Sequence, residues 1–389
     1  MTKAFKMVIY GLKAQTKPSQ NMKDSKVKEF RTSGNHTHLN YHHLIIISAT
    51  SSPLLGGLEK DLLKLYEGDR EMFSVMQPAK KNFSNGEFLA HVSGSVRDAD
   101  VYILSQPRND ESLLYRDIFE LLSLIRSCRT GYAHKVNVLV PCMPHARQDR
   151  STRDREFASF RLVCDMLKKA GVDSVTTFEL HNDATVGYME YELSNQSTLA
   201  FLAKRISRDI IRQSDEVCHL IAPDIGSAKY LERMRSELSK PRYGEHSLNY
   251  STIQKDRDPS TGKTRILGVS SPSDFSLAGS HCVMVDDMID TGGTAAQAAR
   301  YLCDRYGVSK VSLVATHGIF SVGCREKLLD GRFEQVCVTD SCPLPVHMHD
   351  FPGLQVWSLD GYLAGLVYNI HNGKSSTEIA RRGGSEDAS

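Results

Sequence analysis

The stretch His281 to Leu302, HCVMVDDMIDTGGTAAQAARYL, passes from apolar to acidic to small and hydroxylated residues before an alanine-rich run. That order of chemistries describes a binding loop. Gly292 and Gly293 let backbone N–H groups come close to a ligand, and Thr291 and Thr294 add hydroxyl donors. The start of a helix at Thr294 supplies unpaired N–H groups and a partial positive charge. This combination suits a phosphate. Asp286, Asp287 and Asp290 lie just upstream and would repel one, so they are expected to face sugar hydroxyls or a magnesium ion. A phosphorylated sugar satisfies both halves. Two adjacent acids after a buried strand are costly without a ligand, which weighs against an ordinary turn.

Such a loop needs a scaffold that ends strands beside helix N-termini. The runs HLIIISAT, DVYILSQ, KVNVLVPC and SVTTFEL are near-continuously apolar and of strand length, as buried parallel strands read. Between them, Asp110 to Arg129 and Phe157 to Gly171 carry apolar residues at helical spacing, the second closing on a cationic turn and a glycine. The grammar then restarts with VCHLIAPD, HCVMVDD, KVSLVATHGIF and QVCVTDS, separated by helices over Ser227 to Leu238 and Thr294 to Tyr306. The expected fold is α/β, with two doubly wound units on mostly parallel central sheets, meeting near Ser194 to Ala200. The expected divisions are a flexible basic and polar extension over 1–43, an N-terminal domain over 44–198, a C-terminal domain over 199–376, and a polar tail over 377–389. Ligands of such sheets sit at the carboxyl ends of strands.

Composition narrows the classes. The 389 residues suffice for two domains, and a formal net charge of +2 argues against a protein that binds polyanions through bulk charge, so no nucleic acid partner is expected. No apolar run approaches the roughly 18 residues that read as a membrane span. Nine cysteines are scattered without a CxxC pair, which suits reduced thiols in a cytosol-like compartment, mostly as small core hydrophobes. Arg31 to Leu39, RTSGNHTHL, is close to the nonapeptide type of peroxisomal or glycosomal import signal, but Thr32 stands where an aliphatic residue is wanted. Cytoplasmic localisation is the expectation, with peroxisome or glycosome as the alternative.

The acidic-glycine loop resembles the phosphoribosyl-pyrophosphate (PRPP) loop shared by type I phosphoribosyltransferases and PRPP synthetases. Other segments separate the two. VPCMPHARQDR (Val140 to Arg150) resembles the synthetases' IPYFPYARQD, and FSNGE (Phe83 to Glu87) matches their adenine-binding turn. FELHNDATVGY, APDIGSAKY, IQKDR and ATHGIF follow in the family's order. From about Leu44 to Ser376 the chain is therefore similar to the ribose-phosphate pyrophosphokinase family, whose domains are of the type I phosphoribosyltransferase kind. The resemblance implies an ATP- and magnesium-dependent transfer of a diphosphoryl group from ATP to ribose 5-phosphate. It implies that Phe83, Asn85 and Glu87 hold adenine, Arg147 and Gln148 the ATP phosphates, and His181 and Asp224 magnesium. Asp286, Asp290, Thr291, Gly292, Gly293 and Thr294 would hold ribose 5-phosphate. Lys255 and Arg257 match the family's catalytic Lys-x-Arg, on a mobile loop, with strand-like alternation placing both on one face. The family builds ATP sites across subunit boundaries, so a homo-oligomer, hexamer or dimer, is implied.

Departures mark where regulation need not carry over. Glu156 and Phe157 replace a small residue and a proline, Glu179 stands where Asp is usual, Ala184 and Val186 replace glutamines, and Ser227 replaces the second glycine of PDAGG. Gly262-Lys263-Thr264 mimics the tail of a Walker A motif, but the first glycine of that motif would fall on Arg257, so there is no P-loop. A second reading of the whole is a non-catalytic, synthetase-associated regulatory subunit, which predicts disabled catalytic segments.

Overall fold

The computed structural model describes residues 42–110, 112–151, 153–244, 246–257, 264–272 and 274–382. The extension up to residue 41, with the stretch resembling an import signal, and residues 383–389 lie outside the described residues, as does the Walker-like Gly262-Lys263.

The first half of the chain runs β1 (Leu44–Ser48), α1 (Leu54–Leu65), β2 (Phe73–Met76), β3 (Ala79–Asn82), β4 (Phe88–His91), β5 (Asp100–Leu104), α2 (Leu114–Thr130), β6 (Lys135–Leu139), α3 (Ser159–Ala170), β7 (Ser174–Phe178) and β8 (Glu192–Gln196). The second runs α4 (Leu199–Arg205), β9 (Cys218–Ala222), α5 (Ala228–Leu238), β10 (Asn249–Arg257), β11 (Thr264–Ser270), β12 (His281–Ile289), α6 (Gly293–Tyr306), β13 (Lys310–Gly318), α7 (Cys324–Asp330), β14 (Gln335–Thr339), β15 (Leu354–Trp357), α8 (Asp360–His371) and α9 (Ser376–Arg382). A six-stranded sheet in the order β2-β1-β5-β6-β7-β8 is parallel throughout. A seven-stranded sheet in the order β11-β10-β9-β12-β13-β14-β15 is parallel except for its β10–β11 edge. The fold is thus α/β with mostly parallel sheets.

The apolar runs become strands for a simple reason. All five residues of β1, of β5 and of β9 are buried, because helices cover both faces of a parallel sheet. Each fully buried Ile, Leu or Val contributes about 1.5–3 kcal/mol. The two sheets share a core: Leu44, Ile46, Tyr102 and Phe178 pack in one cluster with Leu220, Val283 and Trp357. Helix α8, late in the chain, packs on α1 near its start, and Tyr66 accepts a hydrogen bond from the Asn372 side chain at 3.2 Å. Gly57 makes room for this contact, since a Cβ there would stand 2.6 Å from the Asp360 Cβ.

Three expectations change. Lys255 and Arg257 sit in strand β10 rather than in a loop, because β11 folds back and pairs with them: Lys255 opposes Ile266 and Arg257 opposes Thr264. The pairing register slips between Gln254 and Lys255, a bulge that locally sharpens the twist of this edge. Asp286 and Asp287 lie within β12, not beyond its end. The start of the expected polar tail is instead helix α9, because Ile379 and Ala380 find apolar cover on the shared core. Among the described residues, no helix is long and apolar enough to cross a membrane.

Candidate active site

The carboxyl ends of β7, β9 and β12 and the N-terminus of α6 surround a cavity of about 510 Å³. Arg147, His181, Asp224, Asp286, Asp290, Thr291, Gly292 and Thr294 all line it. Gly293 is the first residue of α6 beside them. Gly292 caps that helix at φ 70°, and a side chain there would press on Cys324 Sγ and Leu328 at 3.0 Å. Only glycine gives this turn without strain and keeps the helix end on α7.

The acids are organised by hydrogen bonds. Ser227 is the bridge: its hydroxyl lies 2.7 Å from Asp286 Oδ1 and 3.3 Å from Asp224 Oδ1, and its N–H donates to the same Asp224 oxygen at 3.2 Å. The glycine usual in the family could not make the side-chain contacts. Burial, and repulsion from Asp287 and Asp224, push the Asp286 carboxyl well above the ordinary range. Asp287 goes the other way. Burial opposes its ionisation, but His181 Nδ1, 2.8 Å from Asp287 Oδ2, holds the carboxyl low overall. The same hydrogen bond raises the His181 pKa against the opposing effect of burial. With Nδ1 engaged, the other ring nitrogen of His181 is the one available to a ligand.

These residues fit magnesium in one respect above all. Asp224, Asp286 and Asp287 line one cavity, the first two bridged by Ser227, and carboxylate oxygens are the donors a hard cation takes. His181 joins them as an oriented imidazole with a carboxylate behind it, the arrangement that positions metal-bound histidines.

Lys255 reaches the same place from strand β10. Its Nζ donates to the Thr294 carbonyl in the first turn of α6 at 3.0 Å. Burial lowers its pKa from 10.5 to about 8, against the pull of Asp224 and Asp286. The side chain of Arg257 lies outside the described residues. Arg147, from the loop after β6, pairs with Asp290, whose other oxygen accepts from Ser321. The ARQD segment therefore touches the acidic-glycine loop directly. Asp149 of that segment accepts from the Asn182 side chain at 2.6 Å, which ties it to the segment carrying His181. Gln148 lies on the neighbouring cavity of about 390 Å³, where its Oε1 accepts from Ser159.

Phe83, Asn85 and Glu87 are not brought in. They form the tip of the β3–β4 hairpin, which packs on α2, and they line neither cavity. Phe83 is 41% exposed, and the turn is held by the Phe83 N–H to the Glu87 carbonyl at 2.8 Å.

Two residues noted in the sequence without an assigned ligand join the site. Asp287 orients His181; the acidic pair signalled it, but nothing in the sequence told which acid would do what. Glu179 is buried at the end of β7 and accepts from the Ser197 hydroxyl at 2.8 Å and the Thr198 N–H at 2.6 Å. Its carboxylate thereby secures the segment joining the two sheets. At the other departures, Val186 packs on the first sheet's core and Ala184 is exposed.

Known proteins match both halves. The model of the N-terminal domain of ribose phosphate pyrophosphokinase matches residues 45–171, and that of the phosphoribosyl transferase domain matches 191–333. Ribose-phosphate pyrophosphokinase 2 of Saccharomyces cerevisiae is 30% identical over 297 residues, 75% of this chain and 86% of that protein. The crystal structure of phosphoribosylpyrophosphate synthetase from Mycobacterium smegmatis aligns with a TM-score of 0.70 at 28% identity, over 85% of this chain and 99% of that one. A two-sheet scaffold that gathers the ARQD, LH, PDIG and DDMIDTGGT segments around one cavity is matched along nearly the full length of these relatives, and the chain belongs to the ribose-phosphate pyrophosphokinase family.

Proposed function

We propose that this chain is an active ribose-phosphate diphosphokinase that moves the β,γ-diphosphoryl group of ATP to the C1 hydroxyl of ribose 5-phosphate, giving PRPP and AMP for nucleotide biosynthesis. One observation carries the reading: Lys255 is delivered by β10 to the first turn of α6, over the loop that would hold ribose 5-phosphate. Asp286 and Asp290 would take the sugar hydroxyls, while Thr291 to Thr294 would receive the 5-phosphate at the helix N-terminus. Attack of the C1 hydroxyl oxygen on the β-phosphorus breaks its bond to the α-phosphate bridge oxygen, and AMP leaves. Such a transfer needs positioning and cations where oxygen charge develops. Lys255 and Arg147 would supply the positive charge, with Arg257 beside Lys255 in the chain. Asp224 and His181 would hold magnesium, which when bound neutralises charge on the ATP phosphates. Arg147 must leave Asp290 to reach a triphosphate, so the substrates would exchange this ion pair for their own.

The adenine end is best completed by another copy of the chain. The exposed tip at Phe83, Asn85 and Glu87 stands apart from Arg147 and Gln148, and Leu89 and Phe119 beside it are 46% and 58% exposed. The chain would then act as a homo-oligomer whose ATP site is shared between subunits. The other reading, a non-catalytic regulatory subunit, would call for a disrupted cluster, whereas Lys255, His181 and Asp224 stand together. Incubating the purified protein with ATP, magnesium and ribose 5-phosphate should yield AMP and PRPP in equal amounts. No AMP from the protein alone would defeat the proposal, and activity arising only with a homologous partner would favour the regulatory reading.

A further inference from the structure

Behind the acidic cluster, Cys142, His317 and Cys342 converge: both sulfurs and a ring nitrogen of His317 lie within 4.8 Å of one another. They come from separate elements. Cys142 follows β6 in the first sheet, His317 lies near the end of β13, and Cys342 follows β14 in the second sheet. Two thiol sulfurs and an imidazole are the donors preferred by soft and borderline divalent ions, and hard magnesium does not compete well for them. We propose that Cys142, His317 and Cys342 form a binding site for a thiophilic divalent cation of the zinc class, separate from the magnesium ligands and independent of the reaction proposed above.

The surroundings suit such a site. Both ring nitrogens of His317 have protein partners, Nδ1 at 2.9 Å from the Ser341 hydroxyl and Nε2 at 3.2 Å from the Phe178 carbonyl, so the nitrogen that takes the ion would exchange its contact while the other stays held. A metal-binding histidine typically has its outer nitrogen fixed in this way. Cys342 and His317 are both buried, so an ion held between them would be largely shielded from solvent. Cys142 and His317 also line the cavity of about 390 Å³, which offers an ion an entry path. The ion would join the loop after β6 to the ends of β13 and β14, and so link the two sheets beside the catalytic cavity.

The test is titration of the reduced, metal-stripped full-length chain with cobalt and then zinc, in the presence of excess magnesium. Thiolate-to-cobalt charge-transfer absorption should rise to a plateau at one ion per chain, persist in magnesium and bleach on adding zinc. Cys342→Ser should abolish that absorption while leaving the circular dichroism spectrum unchanged. Where that variant does not fold, Cys142→Ala should give the same loss. Absence of thiolate absorption in the reduced wild type at saturating cobalt, or its survival in both variants, would overturn the site. Recovery of a Cys142–Cys342 disulfide from the purified, untreated chain would overturn it in favour of a redox pair.

Discussion

The two ends of the proposed ATP and ribose 5-phosphate site are built differently. Around α6, Lys255, Asp224, Ser227, Asp286, Asp287, His181, Asp290 and Arg147 contact or face one another within one chain, held by the carboxyl ends of buried parallel strands. At the β3–β4 hairpin, Phe83, Asn85 and Glu87 sit in the exposed turn that joins two four-residue strands. The acceptor end is assembled on rigid elements before any ligand arrives, whereas the adenine end is a projecting finger. Preassembly favours precise placement of charge, and a projecting finger favours completion by a neighbour.

The largest effect is expected at the assembled end. Lys255→Ala should cut kcat by about 10²–10³, the scale seen when one preorganised charge-stabilising group is removed, with little change in KM for ribose 5-phosphate. Unchanged circular dichroism would separate this loss from unfolding, and a raised KM at constant kcat would instead make Lys255 a binding residue. Asp287→Asn should weaken magnesium activation about 10–100-fold, read as the magnesium concentration for half-maximal rate. As a positioning residue it should also free His181, whose pKa by NMR titration should fall toward 6.5. Asp287→Glu should restore part of both.

At the projecting end, Phe83→Ala should raise KM for ATP by an amount equivalent to about 1–3 kcal/mol, the worth of one base–aromatic stack, and leave KM for ribose 5-phosphate unchanged. Mixing Phe83→Ala with Lys255→Ala subunits should restore some activity if ATP is held across copies. No recovery in mixed oligomers would place the adenine site within one chain. Ser227→Gly is a smaller change: losing its contacts to Asp224 and Asp286 should cost roughly 1 kcal/mol in magnesium affinity, measurable by calorimetry.

The pH behaviour sharpens the contrast further. Acylation of Lys255 in the ligand-free protein should have its midpoint near pH 8, against 10.5 for an ordinary lysine. Between these values the unfolded chain holds more protons at this residue than the folded one, so the Lys255 contribution to stability becomes more favourable as pH rises.

Much of this was legible in the residues, for identifiable reasons. LIIIS, DVYIL and CHLIA read as buried strands because both their faces are covered, and the DTGGT turn showed its chemistry because two glycines before a helix N-terminus serve few other purposes. The segment QKDR did not read as part of a sheet, since its charges resemble a solvated loop until β11 supplies the pairing. Helix α8 hid because DGYLAGLVYNIH is buried on nearly every side and so lacks the one-sided periodicity of a surface helix. The Cys142, His317 and Cys342 cluster was invisible, because its members are far apart in the chain and meet only when two sheets pack. The hairpin motif FSNGE was recognisable as a sequence, but nothing in it says that its tip stands away from the remaining segments.

The central claim is that the Lys255 end of the site directs attack at the β-phosphorus of ATP, and isotope transfer tests it most directly. With ATP labelled at the β-phosphate, magnesium and ribose 5-phosphate, the label should appear in PRPP while unlabelled AMP accumulates in equal amount, and Lys255→Ala should slow both by about 10²–10³. Label retained in ADP, or no turnover by the intact chain, would contradict it.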